Sequence, residues 1–532
     1  MNPPAINAPA AENSAGYIPL PYSLKRKIKD GIVAFTLATW CFVRPSSHLL
    51  FDHNRYFHKL PVVPVELLAL AANILWVTVM IWLGIGVWRH SRSKILCLLL
   101  ELLFLGLLLF PADYLRVQVF ALEFGGLRGF FKNPLMILVV AVILAALFWK
   151  HRLIARGAAV VISITFPTAL WTMVKIILLC LNVMHLQQCT YTPPPPALFP
   201  SHEGQSRVLW IIFDETDFRL AFEKRPVGTA LPEFDRLRAE SLFADHAFPP
   251  GSSTIISMPA LITGQRLSAV EVNDCDLALT PADTGLTVDW STVPSVFSKA
   301  HELGVNTALV GWYHPYARLL GGSLNYCSWY PFPGFELARA ATFGTSILQQ
   351  IASLTGHMHI RQLFINTCQD SLKDSFEVAG NPAYGLILLH LPPPHLPGVY
   401  LPAQNTFTCL GIEPPVGYFN NLMLADRELG AVRRTMETDG QWDKTWVILS
   451  ADHWWRQSQL YEGISDHRVP FLVKSPGVSG SITYSHQFNT VLTHDLILAM
   501  LRGQVTNQAG VATFLDRGKP DMPVIRPGQG GE

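Results

Sequence analysis

The sequence predicts an α-helical membrane domain followed by an α/β domain with a mainly parallel central sheet. Long apolar runs lie before about residue 183, whereas most Asp and Glu lie after residue 200, so a membrane part precedes a soluble part. In the second half, short apolar strands alternate with helical patterns, which lays strands parallel through helical crossovers.

The runs 65–88, 95–110, 134–149 and 157–181 each approach the ~20 residues that a bilayer core needs. A shorter run at 31–43 follows Lys25, Arg26, Lys27 and Lys29, a cationic cluster suited to a cytoplasmic anchor. That run either spans or lies in the interface as an amphipathic helix. Counted as a span, it brings residues 31–183 to about five helices behind a cytoplasmic segment at 1–30. The basic loops 89–94 and 150–152 then share the side of the cationic cluster. The expected location is therefore a multi-pass protein of the inner (plasma) membrane with its soluble part extracytoplasmic. A secretory signal peptide is not expected, because the first run lacks a small-residue cleavage site and further spans follow it.

Formal net charge is +1 and no basic tract occurs, so nucleic acid is not expected as a partner. Cys41, Cys97 and Cys180 fall in apolar runs, and Cys189, Cys275, Cys327, Cys368 and Cys409 in the part placed outside. No Cys/His cluster has zinc spacing. An oxidising compartment predicts one or two disulfides there, with the odd thiol placed at Cys189. A linker at 184–205 contains Pro193 to Pro196, which favour a stiff, extended path. The soluble domain is set at 206–518, and the Pro- and Gly-rich tail 519–532 is read as disordered.

The apolar run 208–213 is too short for a helix and fits a parallel strand buried on both faces. Helical patterns follow at 232–241 and 293–303, with further strands at 306–310, 385–390, 445–450 and 470–473. Ligands bind beyond the carboxyl ends of strands in such a sheet, so polar residues just after an apolar run carry weight. Asp214 and Glu215 follow the first strand, and Asp452 and His453 follow the strand 445–450. Each pair serves either as an ordinary turn or cap, or as a set of metal ligands. His390 and His395 bracket a proline-stiffened loop, and Asp466 and His467 precede a strand that reads as an edge.

Thr254 stands where a helix begins, and Ser252, Ser253 and Thr254 suit its N-cap equally well. A helix N-terminus also stabilises phosphate-like anions, so a capping position can double as a reaction centre. The two readings are compatible.

The segment 231–250, followed by Thr254-x-x-Ser-x-Pro259 and then Leu261 to Gly264, resembles the nucleophile region of the alkaline phosphatase and sulfatase superfamily. The later pieces come in the same order. The segment ending Trp312-Tyr313-His314 resembles the Gly-Lys-Trp-His strand of sulfatases, and His390 with His395 resembles the paired histidines of the substrate loop. Ser450-Ala-Asp-His453 resembles the Ser-Asp-His metal motif, with 468–477 as the strand that follows. Formylglycine sulfatases need Cys or Ser, then Pro and Arg, where this chain has Thr254, Ile256 and Met258, and their Lys is replaced by Trp312. Thr-x-x-Ser-x-Pro behind about five spans is instead similar to phosphoethanolamine transferases and, more distantly, to phosphoglycerol transferases.

This resemblance implies a sulfatase/alkaline-phosphatase-like catalytic domain acting by double displacement. Thr254 is the nucleophile it implies, with one divalent metal, Zn or Mn, on Asp214, Asp452 and His453 and Glu215 as the second choice among the acids. His395, with His467 or His390, is the proton-transfer group, and His314 a substrate contact. The implied partners are a phospholipid donor, an envelope lipid or glycan acceptor, and the bilayer. Two alternatives stay open: an extracytoplasmic hydrolase, whether phosphodiesterase or sulfatase-like, and an inactive scaffold or sensor that kept the fold.

Overall fold

The computed structural model describes residues 24–51, 55–59, 63–118, 149–181, 192–200, 206–335, 342–477 and 480–518, together with positions 135, 137, 138, 141, 142, 145 and 204. Most of the expected span 134–149, Cys189, part of the linker and the tail 519–532 lie outside the described residues.

The N-terminal region is helical: α1 (Leu24–Cys41), α2 (Pro64–His90), α3 (Lys94–Leu107), α4 (Leu109–Gln118), α5 (His151–Ile164) and α6 (Phe166–Leu181). Among the described residues, two helices are long and apolar enough to cross a membrane, Pro64–His90 and the α3–α4 run Lys94–Arg116. The run expected as one span at 157–181 is instead two helices bent by 47°, so a third crossing exists only if the bent pair counts as one. α1 packs Val33, Leu37 and Ala38 against Leu67, Leu70 and Ile74 of α2. Arg89 Nε donates to Asp30 Oδ2 at 2.7 Å, which sets the cationic start of α1 beside the end of α2.

The soluble half follows in the order β1 (Arg207–Phe213), α7 (Pro232–Ala239), β2 (Leu242–Ala244), α8 (Thr254–Thr263), β3 (Thr307–Trp312), β4 (Tyr326–Tyr330), α9 (Phe343–Ala352), α10 (His357–Gly380), β5 (Leu386–Leu391), α11 (Val416–Thr438), β6 (Thr445–Ser450), β7 (Phe471–Lys474) and β8 (Ile482–Tyr484). These strands form one eight-stranded sheet ordered β8-β2-β7-β6-β1-β5-β3-β4. β1 pairs in parallel with both β6 and β5, and β3 in parallel with β5 and β4. Only β7 breaks the pattern, pairing antiparallel with both β6 and β2. The strand that reads as an edge in the sequence is thus an interior strand, its backbone satisfied on both sides.

Why β1 is apolar from Val208 to Phe213 follows from its place. Val208, Trp210 and Ile212 enter the core on one face of the sheet, while Leu209, Ile211 and Phe213 enter the core on the other. With every residue buried, each such side chain contributes about 1.5–3 kcal/mol, and no polar alternation is tolerated. The register pairs Ile212 with both Ser450 and His390, so the carboxyl ends of β1, β5 and β6 lie level. That alignment brings distant polar residues to one place.

The two halves are joined by a buried polar contact rather than by apolar packing alone. Asn73 of α2 donates to Gln350 Oε1 of α9 at 2.9 Å, and Gln350 Nε2 donates to the Glu66 carbonyl at 2.9 Å. Cys275 is disulfide-bonded, whereas Cys327, Cys368 and Cys409 are free.

Candidate active site

Asp214 is the first residue past β1, and its N–H extends the ladder by donating to the Leu391 carbonyl at 3.1 Å. Asp452 lies just beyond β6, where Oδ1 accepts from the N–H of Glu215 at 3.2 Å and of His453 at 2.8 Å. His390 is a residue of β5, fully buried, with Nδ1 2.9 Å from the Tyr316 hydroxyl. Tyr316 can approach because Gly311 in β3 has no Cβ, which would otherwise lie 2.6 Å from its ring.

Three buried polar atoms have no hydrogen-bond partner among the described residues: Asp214 Oδ1, Asp452 Oδ2 and His390 Nε2. Asp214, His390 and Asp452 each offer a ligand atom, all within 4.8 Å of one another, and all three residues are buried. Burial, reinforced by Asp452 and Glu215, pushes the Asp214 carboxyl well above the usual carboxylate range. Two neighbouring carboxylates in a dry site cannot both ionise at ordinary pH unless a cation joins them. The donor set therefore fits a divalent metal.

His453 completes the wall. Its Nδ1 lies 2.9 Å from the Trp454 carbonyl, which can only accept, so in the neutral ring Nε2 is the unprotonated nitrogen. Nε2 lies 3.4 Å from Asp452 Oδ2 and 3.7 Å from Asp214 Oδ1.

Thr254 is the first residue of α8, and the N-cap is Ser253, whose extended backbone (φ −154°, ψ 153°) makes no side-chain cap bond. The Thr254 hydroxyl is not a cap either. It lies 3.3 Å from Asp214 Oδ2 and 3.3 Å from His453 Nε2. Ile256 and Ser257 donate to the Ser253 carbonyl, whereas the N–H groups of Thr254 and Ile255 have no backbone partner among the described residues.

His314, expected as a substrate contact, has both ring nitrogens engaged within the chain. It is fully buried; Nε2 donates to the Thr254 carbonyl at 3.0 Å and Nδ1 lies 2.8 Å from the Tyr56 hydroxyl. Burial pushes its pKa down to about 3, so the ring is neutral and both nitrogens are engaged within the chain. His390, grouped by sequence with the proton-transfer histidines, belongs geometrically with the ligands. Glu215, the second-choice ligand, turns its carboxylate to Arg456, with Oε1 3.0 Å from Nε. It holds a left-handed backbone (φ 61°), uncommon outside glycine, while its carbonyl accepts from Tyr418 at 2.9 Å.

His395 and His467 lie outside the ligand group. His395 is half-buried with its ring centroid 5.1 Å from that of Trp312, and Trp312 also lies 6.4 Å from His390. His467 stacks on Trp454 at 4.1 Å, which links it to the neighbour of His453. Arg456, Tyr316 and Tyr56 carry no motif, and the sequence shows no sign of their roles. Arg456 Nε is bonded to Glu215, while its two terminal nitrogens have no partner among the described residues.

No family model and no curated protein matches this sequence. In chain path it is similar to the sulfatase PsFucS1 from Pseudoalteromonas sp., with 14% identity over 56% of this chain and 68% of that one and a TM-score of 0.39. It is similar to murine ectonucleotide pyrophosphatase/phosphodiesterase 5, with 11% identity, 56% and 95% coverage and a TM-score of 0.36. It is also similar to the phosphonate monoester hydrolase of Agrobacterium radiobacter, with 12% identity, 60% and 78% coverage and a TM-score of 0.38. What the side chains of this chain can do follows from their own geometry.

Proposed function

We propose that this chain is a membrane-anchored, metal-dependent enzyme of the alkaline phosphatase and sulfatase type. It moves a phosphoryl-linked head group, of the phosphoethanolamine kind, from a phospholipid to an envelope lipid or glycan. The observation that carries the reading is the Thr254 hydroxyl within 3.3 Å of both Asp214 and His453, beside three buried ligand atoms that lack partners.

A divalent cation such as Zn or Mn, held by Asp214, His390, Asp452 and His453, would supply Lewis acidity that favours the threonine alkoxide and charge on the phosphoryl oxygens. The chain's own groups do the rest. His314 fixes the Thr254 backbone, and the unpartnered N–H groups at the start of α8 are suited to the phosphoryl oxygens. A bond forms between Thr254 Oγ1 and phosphorus as the bond from phosphorus to the diacylglycerol oxygen breaks, and His395 or His467 protonates that leaving oxygen. In the second half the acceptor hydroxyl loses its proton to the same histidine and attacks phosphorus, and threonine leaves. The Arg456 fork is suited to a non-reacting anionic oxygen of the substrate.

An extracytoplasmic site agrees with a disulfide at Cys275 and with basic residues gathered where α1 starts and α2 ends. The test is to incubate the full chain with a head-group-labelled phospholipid and weigh the Thr254 peptide. A phosphoethanolamine-sized adduct on Thr254 that is discharged by an acceptor supports transfer. Head group released to water identifies a hydrolase, sulfate released from an aryl sulfate overturns the phosphoryl assignment, and a metal-free protein without turnover identifies a scaffold.

A further inference from the structure

Away from the Thr254 centre, a cavity of about 370 Å³ opens where the helical region meets the soluble domain. Its apolar wall comes from Cys41 at the end of α1 and from Leu109 and Phe110 of α4. Its polar wall comes from Arg44, just beyond α1, Asp113 of α4, and His357 and Arg361 of α10. None of Asp214, Thr254, His390 or Asp452 lines it.

Among the described residues, the charged groups that line the cavity are cationic in excess. Arg44 and Arg116 share one carboxylate, that of Asp113, at 2.8 and 2.7 Å. Arg361 adds a further guanidinium, laid against Gly411 and bonded only weakly to the Cys409 carbonyl at 3.4 Å. Among the described residues, the lining thus carries two guanidinium groups and one carboxylate, and Arg116 shares that carboxylate. Burial, with Arg44 and Arg361 alongside, holds the His357 ring below its ordinary pKa, so it favours the neutral form and adds no further positive charge.

The position is as telling as the charge. Asp113 and Arg116 stand at the end of the apolar run Lys94–Arg116 that is opposite its basic start, where a span would leave the hydrocarbon. A ligand seated there meets guanidinium groups on one side and the apolar flanks of α1 and α4 on the other. The volume exceeds roughly twelve waters, at about 30 Å³ each.

We propose that this cavity holds the head group of an anionic glycerophospholipid, its phosphate facing Arg44 and Arg361 and an acyl chain running along α1 and α4. The proposal rests on α2 and the α3–α4 run lying in a bilayer, and it is independent of the chemistry at Thr254.

The test uses the full chain in nanodiscs of phosphatidylcholine containing a minor fraction of phosphatidylglycerol, released gently and weighed intact with its retained lipid. The wild type is expected to retain phosphatidylglycerol in preference to phosphatidylcholine. Arg361→Gln should cut that retention about fivefold, the worth of one basic residue near a membrane surface. Leu109→Trp, which fills the apolar wall without touching charge, should also cut it, while both variants keep the wild-type metal content and the wild-type adduct at Thr254. Equal retention of the two lipids, or unchanged retention in both variants, overturns the proposal. Displacement of the lipid by millimolar inorganic phosphate also overturns it, because the site would then be one for free anions.

Discussion

Thr254 presents its hydroxyl to Nε2 of His453 at 3.3 Å, and Nδ1 of that ring lies 2.9 Å from the Trp454 carbonyl. A backbone carbonyl accepts and never donates, so the neutral ring keeps its lone pair on the side of the threonine. The same hydroxyl has Asp214 as its other neighbour, at 3.3 Å. Thr254→Ala should therefore lower turnover by at least about 10³-fold, as loss of a nucleophile does, with metal content unchanged. Turnover and elemental analysis of the same preparation check this. A variant that still turns over would show the nucleophile to lie elsewhere.

Tyr316 orients His390. The Tyr316 oxygen, 2.9 Å from Nδ1, can accept the N–H of that nitrogen, which leaves the Nε2 lone pair to face Asp214 and Asp452. Tyr316→Phe is expected to weaken metal binding about 10–100-fold, the usual cost of losing an outer-shell partner, without removing any ligand. Metal titration with a competing chelator measures it, and unchanged affinity would separate His390 from the metal.

Arg456 touches neither ligand nor nucleophile, yet it is tethered by Glu215 with its terminal nitrogens left over. Arg456→Ala should raise KM about tenfold with a smaller change in kcat, the signature of lost uniform binding. Arg456→Lys should not restore it, because an ammonium lacks the planar fork. A fall in kcat alone would instead place the side chain in the chemical step.

Asp426, which is outside the Asp214, His390 and Asp452 group, supplies a pH dependence of stability. It accepts from the Phe234 N–H at 2.8 Å at the start of α7, and burial pushes its carboxyl up to about 7. Between about pH 4 and 7 the unfolded chain has lost this proton while the folded chain keeps it. The folded state then binds more protons, so stability falls as pH rises through that window and levels off above it. Asp426→Asn keeps an acceptor for Phe234 but has no proton to lose, and should flatten the thermal-melting curve against pH. Parallel curves for the two proteins would show that Asp426 ionises normally.

Removing the metal should act on stability as well as on turnover, since a ligand that binds only the folded state stabilises it by mass action. Dialysis against a chelator is expected to lower Tm, and adding back Zn or Mn to raise it, with the larger rise identifying the preferred ion. No shift with either ion would show that the buried Asp, His and Asp group holds no metal.

Much of this was legible in the sequence because it is local. An apolar run too short for a helix fits a strand covered on both faces, and β1 is one; the acids behind such runs, Asp214 and Asp452, do meet. Helices at 232–241 and 293–303 appear as Pro232–Ala239 and Val296–Glu302. The bend between α5 and α6 and the interior position of β7 were not legible, because apolarity alone does not say where a helix breaks or which neighbours a strand has.

The sequence by itself determined the division into an apolar helical half and an α/β half, and the strand ends where polar residues collect. Only the tertiary structure decided which partners those residues meet. It set His390 beside Asp214 and Asp452 in a group that could hold a metal, turned Glu215 to Arg456, and gave both nitrogens of His314 to Tyr56 and Thr254. The reason is physical: strand periodicity fixes which residues reach the same end of a sheet. Which ring nitrogen or carboxylate oxygen faces inward is set by partners such as Tyr56 and Tyr316, and Tyr56 lies 258 residues from the His314 it holds.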